Sequence, residues 1–134
     1  MTFGAKSQAC GLTVLRVVIG IVFLVHGYQK LFKMGFHGVE GMMGHMGIPF
    51  PAIAAVIVTL VEFVGGILLI AGVAVRISAA LIAVDMAVAL LKVHLPHGFF
   101  AQGGGIELPL TLLGGAICLA IAGGGALSLR LHRW

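Results

Sequence analysis

Residues 52–75 read AIAAVIVTLVEFVGGILLIAGVAV, and Glu62 is the one charged side chain in the stretch. About 20 helical residues cross the roughly 30 Å hydrocarbon core of a bilayer. No water reaches the peptide groups there, so a spanning segment must satisfy its own N–H and C=O groups, as an α-helix does. A barrel strand would alternate polar and apolar residues, and no such alternation occurs. The stretch therefore predicts a transmembrane helix with Glu62 near its middle. Working outward, three more apolar segments of spanning length follow the same logic: 12–32, 77–95 and 108–129. The 77–95 segment is interrupted by Asp85 and Lys92, and 108–129 carries no charge. The sequence predicts an all-α, integral membrane four-helix bundle forming a single domain over residues 1–134.

Composition points the same way. Hydrophobic residues make up 60% of the 134 positions and charged residues 9%, against roughly 45–50% and about 25% in soluble domains. A chain this short has too much surface to hide so much apolar side chain from water, so the lipid bilayer is its expected solvent and first partner. The net charge is +4, but the bases sit at the ends of apolar runs, where they meet headgroups and set orientation. No basic run or basic-aromatic stripe supports nucleic-acid binding. Cys10 and Cys118 stand far apart with no C-x-x-C, so no local dithiol motif exists. The 12–32 segment is too long for a signal-peptide core, and no A-x-A-like site follows it.

The connections differ in kind. Residues 33–51 are rich in Gly and Met and close with Ile48-Pro49-Phe50-Pro51, a stiff lead into the second helix. Residues 38–46 could form a short interfacial helix, weakened by Gly38, Gly41 and Gly44. The link between the second and third helices is read as Arg76 alone. Gly103-Gly104-Gly105 precedes Glu107, and Gly123-Gly124-Gly125 would loosen or end the last helix. With four crossings, Lys6, Arg16, Arg76, Arg130 and Arg133 share the side of the termini, against Lys30, Lys33 and Lys92 on the other. Five bases against three place both termini in the cytoplasm.

Charges near mid-membrane are costly, about 2.5–3.5 kcal/mol each on insertion scales. Arg16, Gly20, Phe23, Gly27 and Lys30 fall on one stripe of the first helix, with His26 on an adjoining part of that face. Glu62, Gly65, Gly66 and Leu69 share a face, as do Ser78, Asp85 and Lys92, and Glu107, Thr111, Gly114 and Cys118. The simplest packing points all four stripes into the bundle. Arg16, His26, Lys30, Glu62, Asp85 and Glu107 then form the candidate intramembrane polar site, with Arg16 alone toward the inner face. Two readings stay open for His26, Glu62 and Asp85: a structural pair holding helices together, or a ligand or proton site. Lys30, Lys92, His94, His97 and Glu107 can also be read as interfacial residues reaching water. The Met- and His-rich segment 37–46 suggests Cu(I) by ligand type, but its spacing matches no motif, and no metal is assigned. A haem would need axial ligands on facing helices, for which His26 and His94 are the conceivable pair.

Several motifs occur together in order: Leu15-Arg16, then Phe23-Leu24-Val25-His26-Gly27-Tyr28-Gln29-Lys30-Leu31, Gly47-Ile48-Pro49-Phe50-Pro51, Glu62-Phe63-Val64-Gly65-Gly66, Gly103-Gly104-Gly105-Ile106-Glu107-Leu108, and Ala122-Gly123-Gly124-Gly125-Ala126-Leu127-Ser128-Leu129. This combination resembles the DoxX family of small bacterial four-helix membrane proteins over nearly the whole chain. The resemblance implies an inner-membrane protein associated with redox systems, since the family takes its name from the membrane part of a thiosulfate:quinone oxidoreductase. The family positions match Arg16, His26, Lys30, Glu62 and Glu107; the usual acidic residue after the final Ser-Leu is replaced by Arg130. Three functions follow as alternatives. The first is a membrane subunit or partner of a redox protein, interacting with quinone, with His26 as donor, Glu62 as proton acceptor and Lys30 stabilising a reduced oxygen. The second is a non-enzymatic scaffold or stability factor docking through glycine-lined faces. The third is a small-solute or proton-coupled transporter working as a homo-oligomer. No cofactor beyond quinone is expected, and no reaction can be assigned from sequence.

Overall fold

A computed structural model describes residues 2–129. The first helix, α1 (Phe3–Tyr28), is capped by Thr2, whose side chain accepts from the Ala5 N–H at 3.3 Å. It runs on through a π-helical turn, Gln29–Met34, into α2 (Gly35–His45). After a turn comes α3 (Pro51–Ala71), which opens on a proline, a residue whose fixed φ suits the first helical position. Gly72, left-handed at φ 79°, ends it. Then α4 (Val75–Ala89) continues into a second π-helical turn, Leu90–His94. Two short 3-10 turns lead to α5 (Glu107–Ala122), which stops at Gly123.

The protein is an all-α membrane helical bundle. Three continuous helical stretches, Phe3–His45, Pro51–Ala71 and Val75–His97, are long and apolar enough to span a membrane, and Glu107–Ala122 is a shorter apolar helix. The outside of the bundle is oily. Val18, Ile21 and Val25 of α1, Ile57, Leu60 and Val64 of α3, Leu81 and Val84 of α4, and Ile117 and Ile121 of α5 are all exposed. Contiguous apolar surface of this kind needs lipid rather than water. Inside, Ile19, Phe23, Leu69, Ile82 and Leu119 are the bulky members of the main core. A second small cluster, Val39, Met43 and Ala55, fastens α2 across the end of α3.

The tightest contact joins α1 to α3. A Cβ on Gly66 would lie 2.5 Å from Leu24 N and 2.8 Å from Leu24 Cα, and one on Gly27 would lie 2.5 Å from Phe63 Cα. Only glycine lets two helix backbones approach this closely. These glycines are therefore filled from within the chain, which removes them from the docking faces expected of a scaffold.

Several sequence boundaries move. The first helix starts at Phe3 rather than near residue 12, because the polar tail is capped and continuous with the apolar run. The last helix ends at Ala122, short of 129 and at the glycine run expected to loosen or end it, since Gly123 turns away at φ 88°. The α3–α4 link is Gly72, Val73 and Ala74, not Arg76, which lies within α4. Residues 33–51 are mostly helical, as α2. Arg130 and Arg133 lie outside the described residues.

The stripe of Glu107, Thr111, Gly114 and Cys118 faces outward, contrary to an all-inward arrangement. The buried face of α5 is instead Pro109, Ala116 and Leu119. Thr111 can face lipid because its hydroxyl donates to Glu107 O at 2.9 Å within its own helix. Ser78 of α4 is buried, and Lys92 in the π-helical turn after it is exposed.

Candidate functional site

Lys30 belongs to the first π-helical turn, three residues beyond Gly27. The close α1–α3 approach brings its Nζ to 2.8 Å from Glu62 Oε2, with Glu62 only 3% exposed. A buried ion pair is expensive to desolvate and must be well matched to persist. Asp85 of α4 adds a second carboxyl to the lining of the same cavity as Lys30 and Glu62. Its Oδ2 is buried and has no hydrogen-bond partner among the described residues. The same is true of Thr59 Oγ1, one turn before Glu62 on α3; nothing in the structure explains that hydroxyl.

Lys30, Glu62 and Asp85 are among the residues lining a cavity of about 340 Å³. This size falls within the roughly 300–1,000 Å³ usual for small-molecule sites. Phe23 of α1, Val58 of α3, Met86 and Ala89 of α4, and Leu108 and Leu112 of α5 supply apolar wall. Met42 and Met43 of α2, with Met46 and Ile48 just after it, close the end away from the chain termini. Methionine is unbranched and polarizable, and packs around ligands of varied shape.

Two histidines join this lining. His26 Nδ1 lies 2.7 Å from Val22 O, and His94 Nδ1 lies 2.7 Å from Gly104 O. A carbonyl only accepts, so each Nδ1 carries the hydrogen and Nε2 is left as the acceptor of the neutral ring. Glu62 is engaged by Lys30 at Oε2, with Oε1 outside that bond.

Both π-helical turns flank the cavity. One carries Lys30, the other Val93 and His94. A π turn inserts an extra residue into a helix, re-aims the side chains beyond it, and occurs often at functional sites. Sequence reading missed both, since apolar periodicity looks much the same on either side.

Arg16 and Glu107 are not in this cavity. Arg16 is 2% exposed and donates from Nε to Gly124 O (2.8 Å) and from Nη1 to Leu69 O (2.8 Å) and Ile70 O (2.7 Å). It thus satisfies terminal carbonyls of α3, which have no partner within the helix, and ties them to the chain after α5. Glu107 is exposed, and its Oε2 accepts from the Ala101 N–H at 2.9 Å, closing the loop ahead of α5. His37 and His45 of the Met-rich segment are exposed as well. Among the described residues, no three His, Cys, Asp or Glu side chains are grouped so as to hold a metal.

Comparison with known proteins gives a consistent set. The DoxX family profile matches residues 11–95. The chain is 36% identical to "Putative oxidoreductase CatD" of Bacillus subtilis, over 92% of this chain and 87% of that protein. It is 34% identical to "Inner membrane protein YqjF" of Escherichia coli, over 92% of each. With "Inner membrane protein YphA" of the same organism it shares 29% identity over 95% of this chain and 92% of the other. No solved structure matches the chain.

Proposed function

The chain belongs to the DoxX family, and from that membership we propose that it is an inner-membrane subunit or partner of a redox system whose cavity accepts a quinone-type carrier. The observation that carries this reading is the amphipathic cavity. Its walls are apolar along most of their extent, and a Lys–carboxylate cluster stands among them. A quinone has the matching shape, with an apolar ring and tail and carbonyl oxygens that become hydroxyls on reduction. Lys30 has two N–H bonds beyond the one given to Glu62 and can offer them to such an oxygen. Reduction of a quinone takes up two electrons and two protons. The electrons would be exchanged with a redox group on a partner protein. Two relatives with "inner membrane" in their names and one named as a putative oxidoreductase support the location and the chemistry. The distribution of five bases against three supports cytoplasmic termini, which would place the cavity in the outer half of the bilayer.

Blocking the cavity tests this reading. Ala89 lies on its wall, and Ala89→Phe puts an aromatic ring into that space. With the protein in lipid nanodiscs, titration with a short-chain benzoquinone should give saturable binding. The variant should bind at least roughly tenfold more weakly, equivalent to about 1.4 kcal/mol, while remaining monodisperse. Equal binding by the two proteins would count against the cavity as the site.

A further inference from the structure

The polar part of the cavity lining contains two carboxyls and one ammonium. The ammonium is already matched, because Lys30 Nζ donates to Glu62 Oε2 at 2.8 Å. Asp85 is the acid left over. Its Oδ2 is buried without a hydrogen-bond partner among the described residues, a condition that proteins rarely leave unresolved. Two carboxyls lining one cavity repel each other when both are ionised, and a proton on one of them relieves this. With both ionised the cluster carries one excess negative charge; with one proton it is neutral. The cluster is thus able to gain or lose a single proton, and Asp85 is its variable member, because Lys30 fixes Glu62.

The remaining elements around the cavity narrow the choice further. Besides Lys30 and His26, α1 and its π turn present Phe23; α2 and the turn after it present methionines and Ile48. From α5 come Leu108, Pro109 and Leu112, none of which titrates. His26 and His94 are the other groups that could exchange a proton, through Nε2, since each Nδ1 is bound to a backbone carbonyl; the histidine variants below separate them from Asp85.

We propose that Asp85 is the residue that exchanges a proton with the carrier in the cavity, an assignment that rests on the quinone-type reading above. In one direction the O–H bond of a bound hydroquinone breaks and a new O–H bond forms on the Asp85 carboxylate. The negative charge passes to the ligand oxygen, to which the free N–H bonds of Lys30 are available. In the other direction a protonated Asp85 hydrogen-bonds to, and returns its proton to, that oxygen. No electron moves in this step.

Affinity measured against pH tests the assignment, using the full chain in nanodiscs with a short-chain benzoquinone and its hydroquinone as probes. Hydroquinone donates, so its binding should tighten as the pH rises and the cluster loses its proton. Quinone only accepts, so its binding should weaken over the same range. Each slope should reach up to about tenfold per pH unit for one linked proton. Asp85→Asn should flatten both slopes, while Asp85→Glu should keep them and displace them along the pH axis. His26→Gln and His94→Gln should leave both in place. Slopes that persist in Asp85→Asn, or vanish in a histidine variant, would overturn the assignment. If Asp85→Asn does not fold, slopes unmoved in Asp85→Glu would overturn it equally. Binding of both probes with no pH dependence in the wild type would remove the role of Asp85 and leave the carrier reading standing. Failure of the wild type to bind either probe would overturn both.

Discussion

Gly66→Val is expected to force α1 and α3 apart and to dismantle the polar cluster some distance from the substitution. A Cβ at this position would stand 2.5 Å from Leu24 N, 2.8 Å from Leu24 Cα and 2.9 Å from Gly20 O. All three are backbone atoms, so no flexible side chain can swing away. The helices must separate or slide, and overpacking of this kind costs about 1–3 kcal/mol or more. The geometric consequence is larger than the energetic one. Glu62 is one turn from Gly66, and Lys30 is three residues from Gly27, whose own Cβ would meet the Phe63 backbone. Separation at the glycines therefore lengthens the 2.8 Å Lys30–Glu62 bond and leaves a buried carboxylate without its cation. Thermal unfolding in detergent should fall sharply, and benzoquinone binding should be lost. Gly114→Val is the matched control: nothing lies within 4 Å of the Cβ it would add, so stability and binding should stay near wild type.

Arg16→Leu should have a comparable effect on stability by a different route. The guanidinium is buried, and it reaches three carbonyls on two separate parts of the chain, Leu69 and Ile70 at the end of α3 and Gly124 after α5. Leucine conserves much of the apolar volume but supplies no donor, so the three carbonyls lose their partner in a buried setting. A buried acceptor left without its donor costs about 1–3 kcal/mol. The segment after α5 should loosen first, because its other ties, Ala126 N–H to Ala9 O at 3.1 Å and Leu129 N–H to Gly72 O at 2.7 Å, depend on the same junction. Hydrogen exchange over residues 123–129 should accelerate strongly, with Arg16→Lys intermediate. Since Arg16 lies outside the cavity lining, variant protein that remains folded should keep its affinity for benzoquinone. This separates a fastening role from a binding role.

The apolar segments were legible because the bilayer imposes a length and a composition that nothing soluble imitates. The buried character of Glu62 was legible for the same reason: a lone charge inside a spanning run needs a partner. The partner itself was only partly legible. Helical spacing places Lys30 on the glycine face of α1, but the π turn that carries it has no residue signature. The outward position of the α5 polar stripe is not legible in sequence, because Thr111 satisfies its hydroxyl within its own helix, so its polarity says nothing about which way it faces. Arg16 and Glu107 looked like site residues because intramembrane charges often are. Their bonds run to backbone groups instead, and a sequence does not reveal which carbonyls or N–H groups are left over at a helix end or in a loop. The free Oδ2 of Asp85 depends on the α3–α4 packing and could only be seen in three dimensions.

The central claim is that the space between Lys30, Asp85 and the α2 methionines receives a quinone-type ring. Photoaffinity labelling with an azido-benzoquinone in nanodiscs, followed by peptide mapping, addresses it most directly. The account predicts covalent label on the lining positions Met42, Met43, Met46, Val88, Ala89, Val93 and His94, suppressed by excess unlabelled benzoquinone. Label spread over the outward residues Ile57, Leu81, Val84 and Ile121, and insensitive to competitor, would contradict it.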